Sequence, residues 1–301
     1  MEEKIRASIE AAFAADALAL GVHWVYDTQA IKKRYGRLTE ITAPELAEYH
    51  QGKDKGAFTH YGDQAMVLLN HIACHNGFEA AAFAQEWEFF FTAYKGYVDH
   101  ASQEALKNLR AGADPSVSGA LSMELGGASR IFPLALLLAQ GGSGSDFVQA
   151  CAGQTRLTHN TPHVVGSAKF LAETYLGVLA GESPVAAMEG ALSRILELPF
   201  DLSARVKMAL ASWEEESREV MENLGTACAW EGALPGAVHL MAKYEDDLET
   251  ALVENIMAGG DSAARGMVVG WILGAWKPEG LPERWVGEVS ELSKIRSLMA
   301  V

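Results

Sequence analysis

The sequence predicts an all-α protein, and three observations carry that reading. Strict apolar–polar alternation of the strand type is scarce, apolar residues recur at spacings of three and four from end to end, and no Pro-rich or charged linker interrupts the pattern. At 301 residues, 49% of them hydrophobic, the chain can bury a large core, and a single compact domain over residues 1–301 is expected.

The elements follow in order. Ile5, Ile9, Ala12, Phe13 and Leu20 fall on one stripe of a helix over 3–20, and Asp16 lies within that stripe, where a carboxylate needs hydrogen-bond donors, a cation or a metal. A helix over 63–76 opens at Asp63 as N-cap and stops at Asn76-Gly77. Helices over 79–95, 99–111 and 130–140 come next, then a Gly141–Ser145 turn and a helix over 145–155. That turn lacks the Gly-Lys-Ser/Thr ending of a triphosphate loop. Pro162 at the first helical position opens 162–180, capped by Thr161 or Asn160. Helices over 184–197, 203–222, 246–257, 262–276 and 283–298 complete the chain. The irregular stretches 24–60 and 112–128 are the natural site-forming loops.

Composition narrows the function. A formal net charge of −15 disfavours broad binding of nucleic acid or anionic lipid. Cys74, Cys151 and Cys228 are odd in number, widely spaced and without a C-x-x-C, which fits a reducing cytoplasm rather than a disulfide framework. The apolar run Met267–Trp276 is far short of the roughly 20 residues that span a bilayer.

The richest segment is 257–276. Gly259-Gly260 delivers Asp261 to the start of an apolar helix, with Ser262 next and Arg265 one turn in, so Asp261 can cap that helix or face a ligand at its end. Gly62-Asp63 repeats the arrangement, and two such mouths facing each other would pair carboxylates with helix-end positive charge. Gly266, Gly270 and Gly274 line one face, which implies a closely packed neighbour or a ligand. His23-Trp24 sets aromatics beside a titratable group, suited to stacking a base or to closing a core. Gly126, Gly127 and Ser129 form a small-residue turn whose N–H groups could approach phosphate. His159 and Asn160 precede a helix; His159 and His163 do not share a helical face, which argues against a zinc pair.

Taken in order, these segments resemble the ADP-ribosylglycohydrolase family. Ala14-Ala15-Asp16-Ala17-Leu18-Ala19-Leu20-Gly21 is similar to its opening Gly-Asp-Ala-Leu-Gly helix, and Gly127-Ala128-Ser129-Arg130-Ile131-Phe132-Pro133 to its Gly-Ser-Ala-x-Arg-x-x-Pro. Leu157-Thr158-His159-Asn160 follows, Gly259-Gly260-Asp261-Ser262 resembles Gly-Gly-Asp-Thr-Asp-Thr, and Leu281-Pro282-Glu283-Arg284-Trp285 resembles Leu-Pro-x-x-Trp. The resemblance implies an orthogonal bundle of helices with a central cleft. It also implies hydrolysis of a glycosidic bond of ADP-ribose, on a small molecule or an ADP-ribosylated protein, with two magnesium or manganese ions in active members.

The departures fall on the metal ligands. The family's Thr-Asp-Asp-Thr-Gln is here Thr59-His60-Tyr61-Gly62-Asp63-Gln64, and Ala263 and Ala264 stand where an Asp and a Thr would coordinate metal. Thr59, Asp63 and Asp261 remain as metal-ligand candidates, enough for at most one weakly held ion, and a metal-free site is the equal alternative. Asp63 and Asp261 are then the candidates for holding the attacking water and His60 for acid–base work. His23, Trp24, Tyr61, Gly126, Gly127, Ser129, His159, Asn160, Ser262 and Arg265 are the candidates for contacting substrate. A non-catalytic nucleotide-binding protein of the same fold is the second reading.

Overall fold

The computed structural model describes residues 1–195 and 197–300. Helices α1 (Glu2–Ala19), α2 (Thr28–Tyr35), α3 (His60–His75), α4 (Ala80–Phe90) and α5 (His100–Arg110) form the first half, with the short α6 (Gly126–Ser129) and α7 (Leu136–Ala139) after a long loop. Then come α8 (Gly144–Thr158), α9 (Pro162–Ala180), α10 (Pro184–Arg194), α11 (Phe200–Ala211), α12 (Ser217–Leu224), α13 (Trp230–Lys243) and α14 (Leu248–Met257). The central α15 (Ser262–Trp276) is followed by α16 (Glu283–Val286) and α17 (Leu292–Met299). Among the described residues the only β pairing is three isolated bridges, so the fold is all-α as expected. No helix of these residues is long and apolar enough to cross a membrane.

The spans 162–180 and 262–276 match the sequence reading to the residue. Elsewhere the structure corrects it. The helix expected over 203–222 is two helices separated at Ser212–Glu216, and 283–298 is likewise divided. The stretch 130–140 is a 3₁₀ turn, Phe132–Ala135, running into α7, because Pro133 sits in its first turn. Helix α2 lies inside the stretch read as irregular; Asp27 caps it, accepting from the N–H groups of Gln29 and Ala30.

Helix α13 was missed because Pro235 and two glycines break its pattern. Proline removes the N–H that would reach the Glu231 carbonyl, and that carbonyl accepts instead from Arg205 Nη1 at 2.9 Å. A long-range donor thus makes a mid-helix proline tolerable.

Helix α15 is buried along its length apart from Trp276, and it runs antiparallel to α1. The glycine stripe faces α1: a Cβ at Gly270 would lie 2.6 Å from the Ala11 carbonyl oxygen, and one at Gly274 would lie 2.7 Å from the Ala11 Cβ. A Cβ at Gly266 would lie 2.9 Å from Asn255 Nδ2. The glycines therefore serve close helix packing. Alanine is the best helix former, so the Ala-rich α1 supplies a stable, thin partner surface.

Because the Gly270 face has no room, Gly270→Ala is expected to destabilise the protein by about 1–3 kcal/mol despite the better helix propensity of alanine. Urea unfolding measures this directly; a neutral or stabilising effect would contradict the packing described.

Candidate functional site

The antiparallel pair brings the end of α1 against the start of α15. There Trp24 N–H donates to the Gly260 carbonyl at 2.8 Å, and Gly260 N–H donates to the Val25 carbonyl at 2.9 Å. Gly259 and Gly260 take φ of +68° and +65°, a region open to glycine at little cost. Trp24 is also left-handed, at φ +63°, and is held there by that backbone bond and by Nε1 donating to Cys228 Sγ at 3.1 Å. One backbone bridge thus sets His23 and Trp24 beside Asp261.

Asp261 caps α15 and packs against Tyr61 and His23. It is fully buried; Oδ1 accepts from Ala264 N–H at 3.2 Å, Oδ2 accepts from Tyr61 Oη at 3.3 Å, and His23 Nδ1 lies 3.5 Å from Oδ1. Burial pushes its carboxyl up, opposed chiefly by the Arg265 guanidinium.

The other mouth is turned differently. Helix α3 starts at His60, capped by Thr59, not at Asp63 as expected. Tyr61 therefore reaches Asp261 and His60 faces His50 and Asp99, while Asp63 one turn later bonds Lys53 Nζ and Tyr94 Oη, both at 2.5 Å. Asp63 borders a separate surface groove lined by Met66, Phe89 and Phe90. The structure does not bring Asp63 and Asp261 together as a pair. Asp16 accepts from Thr59 N–H at 2.8 Å and Thr59 Oγ1 at 2.6 Å, which commits the Thr59 hydroxyl. Burial pushes the Asp16 carboxyl up to about 7, with those two bonds opposing. Gly62 is required here, because a Cβ would meet the Asp16 carboxylate.

Several expected ligand contacts are committed within the protein. Arg265 donates from Nε to Asn255 Oδ1 at 3.0 Å and from Nη1 to the Thr226 carbonyl at 3.3 Å, while Nη2 reaches the carbonyls of Asn255 and Gly259. It braces the Gly259-Gly260 turn instead of facing outward. Gly126 and Gly127 are filled by the chain's own rings: a Cβ would lie 2.5 Å from Tyr61 and 2.6 Å from His159. Ser129 Oγ donates to the Gly126 carbonyl, and Ser262 Oγ is buried without a partner. Asn160 borders a different groove with Arg156 and Lys169.

Around Asp261, His23, Trp24, His60, Tyr61 and His159 converge His50, Tyr97, Asp99 and Glu124, together with Arg130 and Cys228, which the sequence offers only as a motif residue and as one of three cysteines. Trp24 packs edge-on to Tyr49 and Tyr97 at centroid distances of 5.0 and 5.1 Å. His60 Nε2 lies 3.9 Å from Asp99 Oδ2, and His159 Nε2 lies 4.0 Å from Glu124 Oε2. Arg130 donates from Nη2 to Thr158 Oγ1, its Nε and Nη1 unpartnered. The one signal available for Glu124 was its place in the irregular stretch before Gly126-Gly127.

The electrostatics divide these groups. Burial opposes ionisation of Asp99, but His60, Arg130, His159 and a bond from Ser102 together hold it below the usual carboxylate range. Glu124, a third exposed, is pushed up to about 7 by desolvation and by the nearby charges of Asp99 and Asp261. Burial lowers His60 to about 3, His159 to about 3 and His50 to about 4, so all three rings are neutral near pH 7. His60 therefore keeps one N–H and one free lone pair there and is not a general acid.

A histidine whose folded pKa is depressed binds its proton more readily in the unfolded chain. Its favourable contribution is complete above about 6.5 and is lost as pH falls toward 3. The thermal midpoint should therefore fall more steeply between pH 6.5 and 4 in the wild type than in His60→Gln; parallel curves would contradict the burial of a neutral His60.

The ADP-ribosylglycohydrolase family profile matches residues 1–300. Crystallin J1A of Tripedalia cystophora is 24% identical, over 98% of this chain and 94% of its own length. An uncharacterized protein of Archaeoglobus fulgidus is also 24% identical, over 95% of this chain and 91% of its own. A solved structure described as an ADP-ribosylglycohydrolase-related protein complex shares the fold, with a TM-score of 0.76 at 20% identity, covering 99% of this chain and 96% of that one. With nearly every residue inside the family profile and the fold matched end to end, the chain belongs to the ADP-ribosylglycohydrolase family.

Proposed function

We propose that this chain is a hydrolase of a glycosidic bond in ADP-ribose or a related nucleoside derivative, worked by carboxyl groups and not by a carboxylate-held magnesium pair. The observation that carries the reading is the meeting of Glu124, a third exposed, with the buried Asp99 and His159, whose polar atoms lie within 4.8 Å of one another; burial and neighbouring charge push Glu124 up to about 7, while Asp99 is held down. Two carboxyl groups driven apart in this way supply one proton donor and one fixed negative charge at neutral pH.

The residues present do not fit the magnesium centre typical of the family. Thr59 is committed to Asp16, Asp63 to Lys53 and Tyr94, and Ala263 and Ala264 carry no donor atom. Asp261 alone keeps its place, against a preference of magnesium for a near-octahedral oxygen shell. No step is assigned to that metal.

In the proposed reaction Glu124 protonates the leaving nitrogen or oxygen as the bond to the anomeric carbon breaks. Positive charge then develops on the ribose ring, where the Asp99 carboxylate favours it electrostatically. Water adds to the anomeric carbon and returns a proton to Glu124, so the acid is regenerated and atoms balance. Trp24, Tyr49 and Tyr97 offer a stacking surface at the entrance, and Asp261 holds the Tyr61 ring in place through its hydroxyl. Adjacent buried groups, His159 and the unpartnered nitrogens of Arg130, are placed to address ligand oxygens.

A second reading, nucleotide binding without turnover, is favoured by the rings of Tyr61 and His159 packed onto Gly126 and Gly127, where backbone N–H groups would otherwise meet a phosphate. Assay of ADP-ribose release from Arg-, Ser- and nucleoside-linked substrates separates the two. The hydrolase reading expects turnover that falls as pH rises through about 7, when Glu124 loses its proton, and a kcat lower by about 100-fold or more in Glu124→Gln. Calorimetric binding of ADP-ribose with no release would establish the second reading, and full activity in Glu124→Gln would refute the role given to that residue.

A further inference from the structure

Three histidines from separate segments meet behind the aromatic entrance: His23 after α1, His50 in the 3₁₀ turn Glu48–His50, and His60 at the first position of α3. All are buried, and each offers a ring nitrogen within 4.8 Å of those of the others. Nε2 of His50 and Nδ1 of His60 face each other at 3.3 Å. Two imidazole nitrogens on one tetrahedral zinc, each about 2.0–2.1 Å from the ion, are about 3.3 Å apart as well.

The outer nitrogens support the same arrangement. His23 Nδ1 lies 3.5 Å from Asp261 Oδ1, and His60 Nε2 lies 3.9 Å from Asp99 Oδ2, the setting in which a carboxylate orients a ligating imidazole from behind. Hydrogen bonds to His50 Nε2, from the His60 ring and from the His60 backbone N–H at 3.4 Å, would account for the facing pair, but not for His23, whose Nε2 is buried without a partner. Buried polar atoms are ordinarily paired, and an orphaned ring nitrogen facing two other imidazoles is a place for an ion, a ligand or a water.

We propose that His23, His50 and His60 form a site for a divalent transition ion of the zinc class, bound through Nε2 of His23, Nε2 of His50 and Nδ1 of His60. Imidazole donors select such ions over magnesium, which prefers oxygen. The rings are held neutral by burial, so no proton need be displaced near pH 7. The site shares Asp99 with the glycosidase reading, and its test reads metal binding alone, so failure of the one is distinguishable from failure of the other.

The test uses the full chain, stripped with a chelator and titrated with Co²⁺ as the spectroscopic probe. A single equivalent should give visible d–d bands that Zn²⁺ abolishes and Mg²⁺ does not. His50→Gln should weaken binding by about 100-fold or more, and Asp99→Asn by about 10–100-fold. His75→Gln, in the more exposed cluster of His71, His75 and Glu86, should change nothing. If His50→Gln fails to fold, X-ray absorption on the wild-type cobalt complex replaces it, with three imidazole scatterers expected. Absence of cobalt binding, binding that survives His50→Gln and is lost in His75→Gln, or two or fewer imidazole scatterers would overturn the proposal.

Discussion

Everything about the candidate site depends on the close approach of α1 and α15. The glycine face of α15 lets the Ala11 and Ala15 backbone of α1 come nearly into van der Waals contact. With the two helices antiparallel at that distance, the chain leaving α1 meets the chain entering α15, and Trp24 and Val25 bridge to Gly260. His23 and Asp261 are neighbours for that reason alone. Arg265, with four carbonyl or amide oxygens as acceptors, locks the Gly259-Gly260 turn from within. A buried guanidinium so fully partnered is a brace whose removal would leave several acceptors exposed to an apolar interior.

On that frame the site is packed with rings. Positions where the family pattern places oxygen ligands hold His60, Tyr61, Ala263 and Ala264, and the remaining carboxylates have been redistributed. Asp63 is paired with Lys53, Asp16 accepts from Thr59, and Asp261 caps α15 and is buried. Carboxyl groups instead enter from the N-cap of α5 and the loop before α6, as Asp99 and Glu124. Nitrogen and carboxyl chemistry thus stand where magnesium chemistry would be expected. The same burial that keeps the histidines neutral raises Glu124 and sharpens the difference between it and Asp99.

The fold was legible because helical spacing is a local signal that tertiary packing seldom reverses. Helices 162–180 and 262–276 carry both strong caps and unbroken apolar patterns, and their bounds could be read directly. Helix α13 could not, since the Arg205 donor that rescues Pro235 lies 26 residues away in sequence from the carbonyl it serves. The site was legible only in part. The sequence names Asp261 through the Gly-Gly turn, His23 through its aromatic neighbour and Tyr61 through the family resemblance, and the fold brings these three side chains together. Asp63 was misdirected because α3 begins three residues earlier than its apolar pattern suggests, and on a helix that changes the face a residue occupies. His50, Asp99 and Glu124 come from segments with no motif, and only the folded chain joins them.

The central claim is that this site has given up oxygen-ligated magnesium while keeping the frame around Asp261. Calorimetric titration of the purified protein with Mg²⁺ tests it most directly. The account predicts no saturable, stoichiometric heat, and no difference between the wild type and Asp261→Asn. Stoichiometric Mg²⁺ binding that Asp261→Asn abolishes would contradict it.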